Sequence, residues 1–218
     1  MVNWGRFWGG GKLSLPQRWA LAAGACCAVP HGDRLDCLPR CVFDAQEART
    51  SLAEWWGAHN REGCLRQIDW LENEGHNAHF SVLHRQLCGL EQDGFETLVQ
   101  DLSAEAMQQA HFVWVNLDEF KDGHIVAWDL ARLIDVVRFG VTAEYLREAE
   151  SWPLILRVAE RIQGAYRSWD ELGRNFALGA VYWLKGVDSR PDVAEGVKWL
   201  LTQAESPWRQ LAWSTPLK

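Results

Sequence analysis

Apolar residues recur at three- and four-residue spacings along most of the chain, and few stretches alternate apolar with polar positions. That period predicts helices, and the absence of an Asn-Gly or Asp-Gly turn between alternating runs argues against hairpins. Helix openings are also readable. Asp44 with Glu47 sets a capping box in "DAQEARTSLAEWWGAH". Asn60 opens "NREGCLRQIDWLENEG", where Leu65, Ile68 and Leu71 are predicted to share a face and Gly75 to supply a left-handed stop. "HNAHFSVLHRQLCGL" predicts a further helix ending near Gly89, and "GFETLVQDL" a short helix or a loop. Ser103 opens a helix running to about Asn116.

The second half reads the same way. A helix is predicted from about Asp122 to Phe139, stopped by Gly140, followed by a short one, "AEYLREAE", capped by Thr142. Pro153 suits the first turn of a helix that continues through "LILRVAERIQGAYR" to Arg167. Ser168 with Glu171 opens "SWDELGRNFALGAVYWLKG", and Pro191 lies near the start of "RPDVAEGVKWLLTQAE". No fixed-period repeat and no Pro/Ser-rich linker divides the chain. The expectation is all-α: a single compact domain of about eight to ten helices over residues 13–218, with residues 1–12 as a flexible, glycine-rich arm.

The apolar run from Trp19 to Val29 follows basic residues and resembles an export signal. It is too short to span a bilayer, and Ala23 stands where a lipoprotein cleavage box has leucine, so it is read as a buried core helix opened by Ser14 or Pro16. Composition supports a folded soluble chain, with 48% hydrophobic and 23% charged residues. The 14 tryptophans are expected to build much of the core and to leave some rings for a groove or contact surface. A net charge of -7 argues against nucleic-acid binding and suits a basic protein partner. The six cysteines show no paired CxxC spacing and are read as reduced thiols of a cytoplasmic protein.

Three stretches are chemically dense. In "VAWDLARLIDVVRFG", Trp128, Asp129 and Arg132 fall within five positions, with Asp129 and Arg132 on one helix face and Arg132 in reach of the Trp128 ring. They read either as a structural ion pair joining this helix to the one opened by Ser168, or as an anion-handling site. In "SWDELGRN", Ser168 and Glu171 are explained as a cap, Asp170 by the helix dipole, and Arg174 by pairing on the helix surface. Asn175 is left without a role. In "EGHNAHFSVLHR", His76, His79 and His84 cluster, but no HExxH or comparable ligand spacing accompanies them, so no metal or cofactor is expected. Neither a GxSxG elbow nor a phosphate-binding glycine loop is present, and "GGGK" lacks the spacing of one.

These same stretches resemble a bacterial family, domain of unknown function 1266. The resemblance rests on "AEWWGAHNREGCLRQIDWLENEGHNAHF", "AWDLARLIDVVRFGVTAEYLREAESW" and "YRSWDELGRNFALGAVYW", and covers roughly residues 45–185. The chain departs from the family pattern at Asn77, where a basic residue usually follows Gly-His, and at Gly179–Ala180, where Gly-Arg is usual. The resemblance implies a helical, cytoplasmic bacterial protein of no settled activity, some of whose relatives accompany secreted-toxin loci in which acidic helical proteins act as immunity partners.

Two functions are therefore expected as alternatives. One is a cytoplasmic interaction protein that binds and neutralises a basic toxin domain, with neither nucleic acid nor membrane as partner and no catalytic residues. The other is an enzyme or small-ligand protein with a cleft formed by Trp128, Asp129, Arg132, Trp169 and Arg174. The cysteine reading predicts that thiol titration of denatured, unreduced protein finds all six sulfurs free; a lower count would point to disulfides and an oxidising compartment.

Overall fold

The computed structural model describes residues 13–120, 123–184 and 191–218. Over these the protein is all-α, with no strand, ten helices of eight residues or more and two of a single turn. In chain order they are α1 (Leu15–Ala23), the single turn α2 (Ala25–Ala28), α3 (Ala45–Trp56), α4 (Arg61–Asn73), α5 (Gly75–Leu87), α6 (Gln92–Val99), α7 (Ala104–Val115), α8 (Val126–Thr142), α9 (Glu148–Ala165), α10 (Trp169–Trp183), α11 (Pro191–Thr202) and the single turn α12 (Pro207–Gln210). The expected arm, residues 1–12, lies outside the described residues, as does the expected helix start at Asp122.

The caps form where the sequence places them. Ser14, Asp44, Asn60, Ser103 and Ser168 each accept the backbone N–H three residues on, satisfying a donor that the helix cannot pair internally. At the centre lies α8, with twelve of its seventeen residues buried. It packs against α2, α3, α4, α5, α9 and α10. The main core surrounds it, and Trp19 through Ala23 of α1 are fully buried in that core. A second, smaller core forms from Phe80, Leu87, Phe95, Val99, Val113 and Phe120, closed by Tyr182 of α10, so α5, α6 and α7 make a lobe of their own. Among the described residues no helix is long and apolar enough to cross a membrane.

Several boundaries differ from the sequence expectation, each for a packing reason. Gly140 does not stop α8; a Cβ there would lie 2.7 Å from Leu146 Cδ1 and 2.9 Å from Cys64 Sγ, so the glycine admits close packing and the helix runs on to Thr142. Thr142 therefore ends a helix instead of capping one, and its hydroxyl accepts the Arg40 N–H at 2.7 Å. The segment "AEYLREAE" is not a helix of its own: α9 starts at Glu148 and takes Pro153 into its interior. The run Trp19–Val29 breaks at Gly24, whose missing Cβ would sit 2.8 Å from Ile134 Cγ2 of α8. On α4 the buried face is Cys64, Ile68 and Leu71, while Leu65 is exposed.

The crossing of α8 and α10 depends on Gly179. A Cβ at that position would overlap the Cβ of Trp128, an atom fixed to the α8 backbone. Gly179→Ala is expected to push the helices apart and to lower stability by about 1–3 kcal/mol for overpacking, less up to about 1 kcal/mol of helix propensity gained. Urea unfolding of the variant measures the balance. A stability equal to wild type would mean that the crossing accommodates a methyl group.

Candidate functional site

Asp129 is 2% exposed, and its carboxylate has a defined task. Oδ1 accepts the backbone N–H of His76 at 3.1 Å, and Oδ2 that of Asn77 at 2.8 Å. These are first-turn donors of α5, a helix whose own preceding residue, Glu74, makes no side-chain cap. A carboxylate from the central helix thus caps a neighbouring helix, where the unpaired donors and the helix dipole favour negative charge. Gly75 makes room for it: the residue has φ +58°, and any Cβ would overlap the Asp129 carboxylate. The sequence expectation of a left-handed Gly75 is met, but the residue opens α5 and does not only end α4.

Arg132 lies one turn further along. Its guanidinium is held between the rings of Trp56 and Trp128, 4.5 Å from each centroid. Its Nη1 lies 3.1 Å from His76 Nδ1, a nitrogen that is also 3.4 Å from Asp129 Oδ1. Burial pushes the Arg132 pKa down from the ordinary arginine value, and the charge of Asp129 only partly opposes this. Asp129 Oδ1 is 4.0 Å away from Nη1, beyond hydrogen-bond reach. The expected pair is therefore a long ion-pair contact without a hydrogen bond, and it is tied to α5 and not to α10. Asp129 serves α5, Arg132 serves α3 and α5, and only Trp128 reaches α10, with its ring 5.1 Å from Phe176 and 5.9 Å from Trp183.

Trp56, Trp128 and Arg132 form walls of a cleft of about 350 Å³ between α2, α3, α8 and α10, with Trp55 and Trp183 also lining it. The other two expected cleft residues lie elsewhere. Trp169 belongs to a buried tryptophan cluster, 4.8 Å from Trp19 and 4.9 Å from Trp213, and its indole N–H donates to Leu211 O at 2.8 Å. Arg174 pairs with Asp170 at 2.7 Å on the exposed side of α10. The five-residue step between them turns the two side chains to different faces of the helix. Asn175 gains a role: its Oδ1 accepts from Tyr166 Oη at 2.7 Å and from the Ala127 N–H at 3.2 Å, fixing the start of α8. The histidines diverge too, with His79 Nδ1 2.6 Å from Tyr182 Oη. Among the described residues no three His, Cys, Asp or Glu side chains are arranged to hold a metal.

A family model described as "Protein of unknown function (DUF1266)" matches residues 51–213, which include α4 to α11 and the Trp56–Trp128–Arg132 wall. The chain belongs to the DUF1266 family. Two relatives come from Escherichia coli K12. The uncharacterized protein YbeR is 26% identical over 158 residues, covering 72% of this chain and 64% of the relative. The uncharacterized protein YbeU is 28% identical over 132 residues, covering 61% of this chain and 56% of the relative. The matched part is thus less than two thirds of either relative's length. No solved structure matches.

In this DUF1266 chain a larger charged network adjoins the cleft, built from residues that the sequence reading passed over. Asp33 and Arg40 have fully buried side chains and pair with each other, and Arg40 also pairs with Asp135 of α8. Arg138 lies 3.0 Å from Asp33 and donates to the carbonyls of Leu38 at 3.0 Å and Arg34 at 2.6 Å. Burial works against the charge of Arg40, but Asp135 and Asp33 outweigh it and raise its pKa; at Arg138 burial wins and lowers the pKa. A signal was present: Asp129, Arg132, Asp135 and Arg138 stand at every third position of an otherwise apolar helix.

The charge of the lobe was equally legible. Residues 86–120 hold seven acidic side chains, Glu91, Asp93, Glu96, Asp101, Glu105, Asp118 and Glu119, and not one Lys or Arg. The remaining 22 acidic residues are matched by 22 Lys and Arg, so this segment accounts for the whole net charge of -7. All seven acidic residues are exposed.

The main partners of Asp129 and Arg132 differ, which predicts only modest coupling between them. Asp129→Ala should cost about 1–2 kcal/mol as a lost helix cap, and Arg132→Met should add a cost of its own. The two lie 4.0 Å apart and share His76, so the double variant should fall short of the sum by no more than about 1 kcal/mol. A buried ion pair would behave otherwise, since removing the second partner recovers much of the roughly 3–5 kcal/mol lost with the first. Urea unfolding of the four proteins of this cycle tests the assignment, and a strongly sub-additive double variant would contradict it.

Proposed function

We propose that the protein is an interaction protein of the bacterial cytoplasm whose α5–α7 lobe holds a basic protein partner, in the manner of an immunity protein that occludes a toxin. The observation that carries this reading is the segregation of charge: seven exposed acidic residues from Glu91 to Glu119 with no Lys or Arg between them, on a lobe with its own small core whose α5 carries one exposed cation, Arg85. A surface of one sign attracts a complementary partner over a Debye length and raises the rate of encounter. Leu102, Met107 and Val115 are exposed on the same lobe and supply apolar contact area within the charged surround. Met107 suits such a role because its flexible thioether adapts to the shape of a partner.

Carbodiimide coupling in a lysate of the source bacterium, followed by peptide mapping, tests this directly. Coupling is expected between lysines of one partner and the acidic residues of 91–119. With that partner purified, replacing Glu91, Asp93, Glu96 and Asp101 by their amides should slow association about tenfold or more at low salt and leave dissociation less affected. Raising salt should slow the wild-type protein toward the variant. Coupling sites confined to other helices, or an association rate indifferent to salt, would remove the lobe from the interface.

A further inference from the structure

The charges around the α2–α3–α8–α10 cleft are matched in all but one case. Asp129 is taken up by the backbone of α5, Asp135 by Arg40, and Asp33 by Arg40 and Arg138. Arg132 is the cation with no carboxylate within hydrogen-bond reach. Among the described residues its one hydrogen bond goes to His76, and no carboxylate approaches it more closely than 4.0 Å. A guanidinium carries five N–H donors in a planar fork, and a side chain only 14% exposed is poorly served by water. The aromatic clamp of Trp56 and Trp128 holds that fork in one orientation at the cleft wall, so little entropy remains to be lost when it takes up an acceptor.

The rest of the wall sets the other half of the requirement. Trp55 is 56% exposed and Trp183 42% exposed, both lining the cleft with Phe176. Aromatic rings in such number form a surface for a flat apolar body, and about 350 Å³ is within the range of small-ligand sites. Trp128 adds a second unmet donor, since its indole N–H is buried with no acceptor among the described residues. Three groups could oppose an anion. Asp129 lies 4.0 Å from Arg132 Nη1, but both its oxygens accept backbone N–H groups of α5. Asp135 lines the cleft, but its Oδ1 is held by Arg40. Cys27 also lines it, and burial drives its thiol pKa far up, so it stays neutral.

We infer that this cleft binds a small organic oxyanion, its carboxylate or phosphate head on Arg132 and its planar apolar body among Trp55, Trp56 and Trp183. One clamped cation is too little for a bare inorganic ion and is well matched to a singly charged head with an aromatic body. The site is separate from the acidic lobe, so charge-neutralised lobe variants should retain it.

Isothermal titration of the intact protein with 1-naphthoate, 1-naphthyl phosphate, neutral 1-naphthamide and inorganic phosphate provides the test. Either naphthyl anion should bind at least about tenfold more tightly than the amide or inorganic phosphate. The stronger of the two anions identifies the preferred head. Arg132→Met should lose that margin and bind anion and amide alike. Trp55→Ala changes an exposed residue and keeps the fold, and it should weaken every naphthyl probe severalfold while leaving the preference for anion over amide. The inference is overturned if the amide matches the anions on wild type, if folded Arg132→Met retains wild-type affinity, or if no probe binds at millimolar concentration.

Discussion

A helix buried on nearly every side has no water for its charges, and α8 carries four: Asp129, Arg132, Asp135 and Arg138. They alternate in sign at every third position, yet none hydrogen-bonds to the next along the helix; the nearest approach is 4.0 Å, between Asp129 and Arg132. Each is taken up by a different part of the chain. Asp129 caps α5, Arg132 lies between Trp56 of α3 and its own neighbour Trp128, Asp135 holds Arg40, and Arg138 gathers the carbonyls of the segment from Arg34 to Pro39. Desolvating an ion costs several kcal/mol, so these contacts are not simply stabilising. What they supply is selectivity. An alternative packing of the same apolar surfaces would strand a charge, and that excludes it.

Glycine placement shows the same constraint at the level of the backbone. Gly75 is required because the Asp129 carboxylate occupies the space of a side chain, and Gly179 because Trp128 comes in at its root. One lies on α5 and the other on α10, each packed closely against α8. The pair Trp128–Asp129 thus orients α10 and α5 with consecutive side chains, one by close packing and one by charge. The geometry of Arg132, one turn on, follows from both neighbours being fixed.

The helices were legible because their signals are local. Ser14, Asp44, Asn60, Ser103 and Ser168 act within three residues of themselves, and each caps as read. The misread positions depend on distant atoms. Gly140 looks like a stop until Cys64 and Leu146 are seen against it, and Gly24 is ordinary in a run of alanines until Ile134 approaches. The candidate site divides in the same way. Trp128 and Arg132 were found together because they are neighbours on one turn. Their partners Trp56 and His76 lie more than fifty residues earlier, and no spacing rule relates them. Trp169 and Arg174 were grouped with them on residue type alone. Helical geometry turns one inward to Trp19 and the other outward to Asp170.

The two surfaces are joined by helices shared between them. At the start of α5, His76 contacts Arg132 beside the cleft; one turn on, His79 bonds Tyr182 and Phe80 enters the core of the lobe. At the end of α10, Tyr182 faces that core and Trp183 faces the cleft. Adjacent residues of the same turn thus belong to different surfaces. Contiguity alone is not coupling, which requires an element with two states of similar energy. Here α5 is tied to α8 at its first turn by a buried carboxylate, in space that a side chain at position 75 would fill.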